Sequence, residues 1–238
     1  MNVLMIDVGG SHVKLMNARE GEMRKFKSGP DLTASQMAEA VIAATSDWTF
    51  DTVSIGYPSL LRKGRPARDP VNLGGGWLNY DFEKSLGKPV RMINDAAMQA
   101  LANYVHGRLL FLGFGTSIGT CIIADDVVIP IEIGKIKFSK TERFMDRLSK
   151  ESIKKDGIKV WLEAVHEAVD LLRDVFHPDE IVLGGGNAKL IEPMPENCRL
   201  VNNTSAYVGA ERLWDDADLC AVAEESTWKI VRREQLVS

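Results

Sequence analysis

Val3-Leu4-Met5-Ile6-Asp7-Val8-Gly9-Gly10-Ser11-His12-Val13-Lys14-Leu15-Met16 is the stretch whose reading decides the fold. An apolar run stops at an acid, a Gly-Gly turn and a serine, and apolar residues resume at Val13. Short apolar runs broken by glycine-rich turns read as neighbouring strands. The same figure returns at residues 109–112, which turn through Gly113-Phe114-Gly115-Thr116-Ser117 and resume over 118–124.

Each hairpin is followed by alternating helix and strand patterns. After a Glu20-Gly21 turn and an extended stretch at 23–26, Thr33 and Gln36 form a capping-box pair ahead of a stripe at Met37, Val41, Ala44 and Trp48. Strands are predicted at 52–55 and 89–93. The second delivers the chain to Asn94-Asp95 and a stripe at Met98, Leu101, Ala102 and Val105. In the second half, Trp161, Val165, Ala168, Leu172 and Val175 mark a long helix that Pro178 ends. A buried strand at 180–183 then runs into Gly184-Gly185-Gly186. A strand at 199–202 and a helix from about Tyr207 close the pattern. The expectation is α/β: two domains, 1–107 and 108–238, meeting near Gly107 around a cleft, with the last helix free to pack back on the first domain.

Of the 238 residues, 45% are apolar and 26% charged, the balance of a globular chain. A net charge of -4 argues against a nucleic-acid or anionic-membrane surface, which needs clustered Lys and Arg. No stretch reaches the roughly 18–20 apolar residues of a membrane span. Met1 opens almost directly into a core strand, leaving no signal-peptide pattern. Three scattered cysteines give neither a disulfide framework nor CxxC zinc spacing. A cytoplasmic protein without zinc is expected.

Two glycine-rich turns carry the chemistry. In the first, Gly9 and Gly10 let backbone N–H groups face an anion, Ser11 adds a hydroxyl, and Asp7 can hold hydrated Mg²⁺ near phosphate oxygens. A plain hairpin turn explains the same residues. The second, Gly113 to Thr120, lacks dinucleotide-motif glycine spacing and is followed by a strand pattern. No P-loop motif occurs. One donor-rich turn per half suggests a polyphosphate gripped from both sides. Asp95 has two readings, as a helix N-cap or as a carboxylate that accepts a hydroxyl proton during phosphoryl transfer. Asn94 can hydrogen-bond a neighbouring hydroxyl. Glu132 reads as a bidentate partner for vicinal hydroxyls or as a surface acid. Three consecutive glycines at 184–186 read as a sharp turn or as room for a bulky ligand.

Taken in order, Asp7-Val8-Gly9-Gly10-Ser11-His12-Val13-Lys14, Asn72-Leu73-Gly74 with Trp77, Asn94-Asp95-Ala96-Ala97, Phe114 to Thr120, Glu132-Ile133-Gly134 and Gly184 to Asn187 resemble the ROK sugar kinases. Within that family the polyphosphate/ATP-dependent glucokinases are similar in the second turn, from Phe114 onward. The resemblance implies two ribonuclease-H-like domains of the actin/hexokinase type and a glucokinase-like transfer to a sugar's primary hydroxyl. It implies Asp95 as base and Asn94, Glu132 and Asn72, with Lys135 beside them, at the sugar. Asp7, Gly9, Gly10, Ser11, Lys14, Gly115, Thr116 and Ser117 would face the donor phosphates, and Gly184, Gly185 and Gly186 the adenosine. It also implies Mg²⁺ near Asp7, through water, ATP or polyphosphate as donor, and a homodimer. Two departures stand out. Lys135 stands where the family has histidine, so a different sugar, a polyol or a weakly catalytic binding protein are alternatives. Ser117 replaces a glycine, at a cost on the order of 1 kcal/mol if that position needs positive φ.

Overall fold

The computed structural model describes residues 1–17, 21–201, 205–214 and 219–232. Glu20 of the first expected turn and Asn202 of the last expected strand lie outside them.

The opening stretch forms β1 (Val3–Val8) and β2 (His12–Asn17), followed by β3 (Glu22–Lys27), α1 (Ala34–Ala44) and β4 (Thr52–Tyr57). A two-stranded hairpin, β5 (Leu61–Arg62) and β6 (Arg65–Pro66), precedes α2 (Phe82–Leu86), β7 (Val90–Asn94) and α3 (Asp95–Asn103). Five of these strands make a sheet in the order β3-β2-β1-β4-β7. β1 pairs antiparallel with β2 and parallel with β4. Every residue of β1 and of β4 is buried, because elements cover both faces of the sheet, whereas β2 alternates as a strand with one wet face does.

The second half repeats the plan with β8 (Arg108–Phe114), β9 (Ile118–Ala124) and β10 (Val127–Ile131). Helices α4 (Phe144–Leu148), α5 (Lys150–Asp156) and α6 (Ile158–Phe176) lead to β11 (Glu180–Gly184), β12 (Cys198–Leu200) and α7 (Ser205–Glu211). Two further strands, β13 (Leu219–Ala223) and β14 (Trp228–Arg232), complete a sheet ordered β12-β11-β8-β9-β10-β14-β13. Without β13 and β14 this is the order of the first sheet, so the repeat of element order is a repeat of topology. Neither β13–β14 nor the β5–β6 hairpin is legible in the apolar pattern. The runs are short, and β13 ends in exposed residues.

β8 shows how the layers join. Leu109 and Phe111 lie in a core shared with the first sheet, α3 and α7, while Leu110, Leu112 and Phe114 pack with α6 in a second core. A strand covered on both faces is apolar without interruption, which is what 109–112 displays. Helix α7 packs on α3, β1 and β4 and so against the first sheet. Ser54 Oγ donates to the Ala210 carbonyl at 2.7 Å, and Trp214 Nε1 donates to Ser54 Oγ at 2.9 Å.

Two helix stripes are shorter than expected. Trp48 is buried but lies beyond α1, and Val105 is exposed beyond α3. Val175 belongs to α6 but faces solvent. The Thr33–Gln36 capping box is present in full.

Candidate functional site

The first turn is tied off by its own backbone. Gly9 N–H donates to the His12 carbonyl at 3.1 Å, and Ser28 holds the turn from β3's end by donating its hydroxyl to Gly9 O at 2.6 Å. Asp7 is buried at the floor of this turn, directly across from Lys14 in the β1–β2 register. The Lys14 amine stands 3.4 Å from the Asp7 carboxylate. Asn72 arrives from the loop before Trp77 and touches Gly10: its side chain would lie 3.5 Å from a Cβ placed there. That loop is pinned where Gly74 N–H donates to Leu32 O at 3.0 Å and Trp77 Nε1 donates to Gly74 O at 2.7 Å.

The second turn is built alike. Gly115 N–H donates to Ser117 O at 3.0 Å, and Lys150 N–H, at the start of α5, donates to Gly115 O at 2.9 Å. The two turns meet at their tips. Ser11 Oγ and Thr116 Oγ1 are 3.3 Å apart, although 105 residues separate them. Ser117 is not among the residues with positive φ, so its side chain carries no left-handed strain, and the cost considered for the missing glycine does not arise.

Asp95 is the first residue of α3, and the helix cap is its neighbour. Asn94 Oδ1 accepts the Ala97 N–H at 3.1 Å, and Asn94 Nδ2 donates to Tyr57 O at 3.3 Å. The N-cap reading of Asp95 is thereby corrected: the carboxylate contributes only a 2.8 Å bond from Ala96 N–H to Oδ1. Partly buried, it is pushed up to about 7, first by burial, then by the charge of Asp7 and, more weakly, by that of Glu132, against the Ala96 bond. An acid poised near neutrality, facing two other acids, can take up a proton from an alcohol.

Glu132 follows β10 and begins the 3-10 turn Ile133–Lys135. Its carboxylate pairs with Lys135 at 3.8 Å, both side chains more than half exposed. The glycine triplet has an internal explanation in two of its three positions. A Cβ on Gly184 would crowd the Phe111 ring, and Gly185, at φ +81, lies so close to the Phe114 backbone that any side chain would overlap it. Asn187 N–H donates to Phe114 O at 3.0 Å, so the triplet braces the second turn. Only Gly186 faces open space.

Sequence reasoning missed three supports: Ser28, Lys150 and Gly209. A Cβ on Gly209 would overlap the Met98 carbonyl oxygen, so α7 can approach the helix that bears Asp95 only with glycine there. A glycine inside a helical pattern is the one local signal. Among the described residues no three His, Cys, Asp or Glu side chains form a protein-only metal cage. The acids Asp7 and Asp95 suit a cation shared with a ligand's oxygens and water. Among the same residues no helix is long and apolar enough to cross a membrane.

Two glycine hairpins meet tip to tip near a perturbed carboxylate, on two sheets of one topology in an α/β fold. Over most of its length the chain is similar to polyphosphate glucokinases in sequence and to ROK-family structures in fold. It is 25% identical over 239 residues to the polyphosphate glucokinase of Mycobacterium leprae, covering 86% of this chain and 72% of that protein. The crystal structure of inorganic polyphosphate/ATP-glucomannokinase from Arthrobacter sp. strain KM matches 88% of this chain and 96% of its own with a TM-score of 0.74 at 22% identity. A ROK family glucokinase from Streptomyces griseus, in complex with glucose and AMPPNP, matches 91% and 100% with a TM-score of 0.70 at 17% identity. No protein-family model matches the chain.

Proposed function

We propose that the chain transfers a phosphoryl group from ATP or inorganic polyphosphate to the primary hydroxyl of a hexose, glucose in the first instance. The observation that carries this reading is the Asp95 carboxyl, held near 7 at the start of α3 beside the joined hairpins. The two sheets act as two domains, divided near Gly107, that close on the sugar and exclude water.

In this reading Asp95 accepts the hydroxyl proton as the oxygen attacks. Its burial keeps the charged form unfavourable until a substrate shares the site. Asn94, already fixed by its cap bond, offers its remaining donor and acceptor capacity to an adjacent hydroxyl. Glu132 and Lys135 present an acceptor and a donor to further hydroxyls, and Asn72 closes the sugar's side beside Gly10. The backbone of Gly9, Gly10, Gly115 and Thr116, with the hydroxyls of Ser11, Thr116 and Ser117, receives the donor phosphates, and Lys14 adds charge. Gly186, with Gly184 and Gly185 beneath it, borders the adenosine. Mg²⁺, held through water by Asp7, would neutralise charge on the transferring phosphates. Positioning and charge neutralisation supply most of the acceleration. The working unit is a homodimer acting in the cytoplasm.

The paired Glu132–Lys135 favours a second reading, a kinase of the same class for another sugar or polyol. An ammonium presents three donors and no acceptor, so a hydroxyl pattern that suits an imidazole does not suit it equally. The test is a phosphorylation assay over a panel of sugars, run in parallel with ATP and polyphosphate. Glucose phosphorylated with either donor supports the first reading. Turnover confined to another acceptor supports the second, and binding without turnover on any donor refutes both.

A further inference from the structure

Away from the crevice, a cavity of about 600 Å³ opens on the seam between the two halves. One wall is the outer edge of β7, the last strand of the first sheet, and the other is the outer edge of β13, the last strand of the second. The β5–β6 hairpin closes one end: a Cβ on Gly64 at its turn would lie 3.4 Å from Ala223 of β13 and 3.8 Å from the Met92 carbonyl of β7. The segment 79–83 lines another side. None of the residues assigned to the crevice takes part.

The lining is sorted by chemistry. Three cations line it: Arg65 and Lys63 at the hairpin, and Arg91 on β7, which stacks on Trp214 and donates to Leu213 O. The Arg65 side chain is exposed and has no ion pair among the described residues, and Lys63 shares its amine with Glu225 at 2.8 Å. Other lining residues carry groups able to bind hydroxyls. Asp81 Oδ1 accepts the Lys84 N–H and Glu83 Oε1 accepts the Val90 N–H, which fixes both carboxylates and leaves each a second oxygen. Tyr80 Oη accepts from Ser85 at 3.0 Å and keeps its own proton to donate, and Asn79 presents an amide. Fixed acceptors without a cation would favour a metal or an amine. Cations alone would favour a bare anion. Both together, in a space the size of a small ligand, match a molecule with an anionic end and a hydroxylated body.

We propose that this seam cavity is a second ligand site, one that binds a sugar monophosphate, the phosphate toward Arg65 and Lys63 and the hydroxyls toward Asp81, Glu83, Tyr80 and Asn79. Because its walls come from both halves, a bound molecule ties the two sheet edges together. The site stands on its own lining and does not depend on the catalytic reading.

The experiment is direct binding of glucose 6-phosphate by calorimetry to the full chain, with inorganic phosphate and glucose as separate probes. The crevice is filled beforehand with glucose and a non-hydrolysable ATP analogue. Saturable binding that persists with the crevice filled, and weakens at least tenfold both in Arg65→Gln and in Val222→Trp, is the expected result. Val222 is exposed on β13 at the cavity, so a tryptophan there obstructs the mouth while its side chain stays outside the core. Thermal melts check both variants, and if one unfolds the other decides. Binding abolished by filling the crevice, or unchanged in the folded variants, overturns the proposal. So does inorganic phosphate binding as tightly as the sugar phosphate, or no binding at millimolar concentration. A chain inactive in every phosphorylation assay refutes the kinase reading and leaves this measurement intact.

Discussion

Ser11 and Thr116, one at the tip of each glycine hairpin, approach within 3.3 Å through their hydroxyls. Each hairpin belongs to a different sheet, so this contact records how the two halves stand toward each other. Exposed hydroxyl pairs contribute little to folding, about 0.5–1 kcal/mol at most. In the proposed mechanism both hydroxyls face the donor phosphates. Replacing Ser11 with Ala or Thr116 with Val should leave the melting temperature within about 2 °C while raising KM for the phosphoryl donor several-fold. The double variant should be less than additive if both hydroxyls serve one phosphate group. Steady-state kinetics with a full thermodynamic cycle measures this.

Asp95→Asn keeps the shape of the α3 start and removes the base. Turnover should fall by about 10²–10⁴-fold. Sugar binding, followed by calorimetry, should stay measurable. Near-normal turnover in this variant would remove Asp95 from the mechanism.

The same carboxyl predicts pH dependence in two observables. The ionised form is the base, so kcat/KM should fall about tenfold per pH unit below about 7. The stability effect has the opposite sense. Asp95 is raised from 3.8 to about 7, so the folded chain holds a proton that the unfolded chain has released. That contribution is fully present below about pH 4 and is lost as pH rises through 7. Asp95→Asn should therefore melt higher than the parent at pH 8, with the difference shrinking toward pH 4.

Gly185 and Gly186 separate bracing from binding. Gly185→Ala places a methyl group against the Phe114 backbone at φ +81 and should destabilise the fold by about 1–3 kcal/mol. Gly186→Ala meets open space and should fold normally, with any loss confined to ATP affinity. Comparing ATP with polyphosphate in the second variant tests the adenosine assignment.

Gly209 sets how closely α7 approaches the helix that bears Asp95. Gly209→Ala drives α7 off Met98, which lies one turn beyond Asp95 on α3. A loss of several degrees in melting temperature, together with a fall in kcat larger than the change in sugar KM, is the expected outcome. A kcat preserved at temperatures where the variant is folded would show that the α3–α7 contact is purely structural.

Both hairpins, the Thr33–Gln36 cap and the long helix α6 were legible because each is local: turn chemistry, a side-chain reach of three residues, and an apolar period written into neighbouring positions. The order of elements was legible only in part: β10, which completes the second copy of the five-stranded plan, carries no prediction from the sequence, nor do α2, α4, α5, β5–β6 and β13–β14. Tertiary structure alone decided the rest. Nothing near Asp95 in the chain reveals that Asn94 takes the capping bond, since both residue types cap helices. The glycines at 184 and 185 read as room for a ligand until the Phe111 ring and the Phe114 backbone occupy that space. The acidity of Asp95 depends first on its burial and then on Asp7 and, more weakly, Glu132, and the meeting of Ser11 with Thr116 spans 105 residues. Local sequence encodes backbone preference, whereas electrostatics and close approach depend on distance in space, which only the packed chain sets.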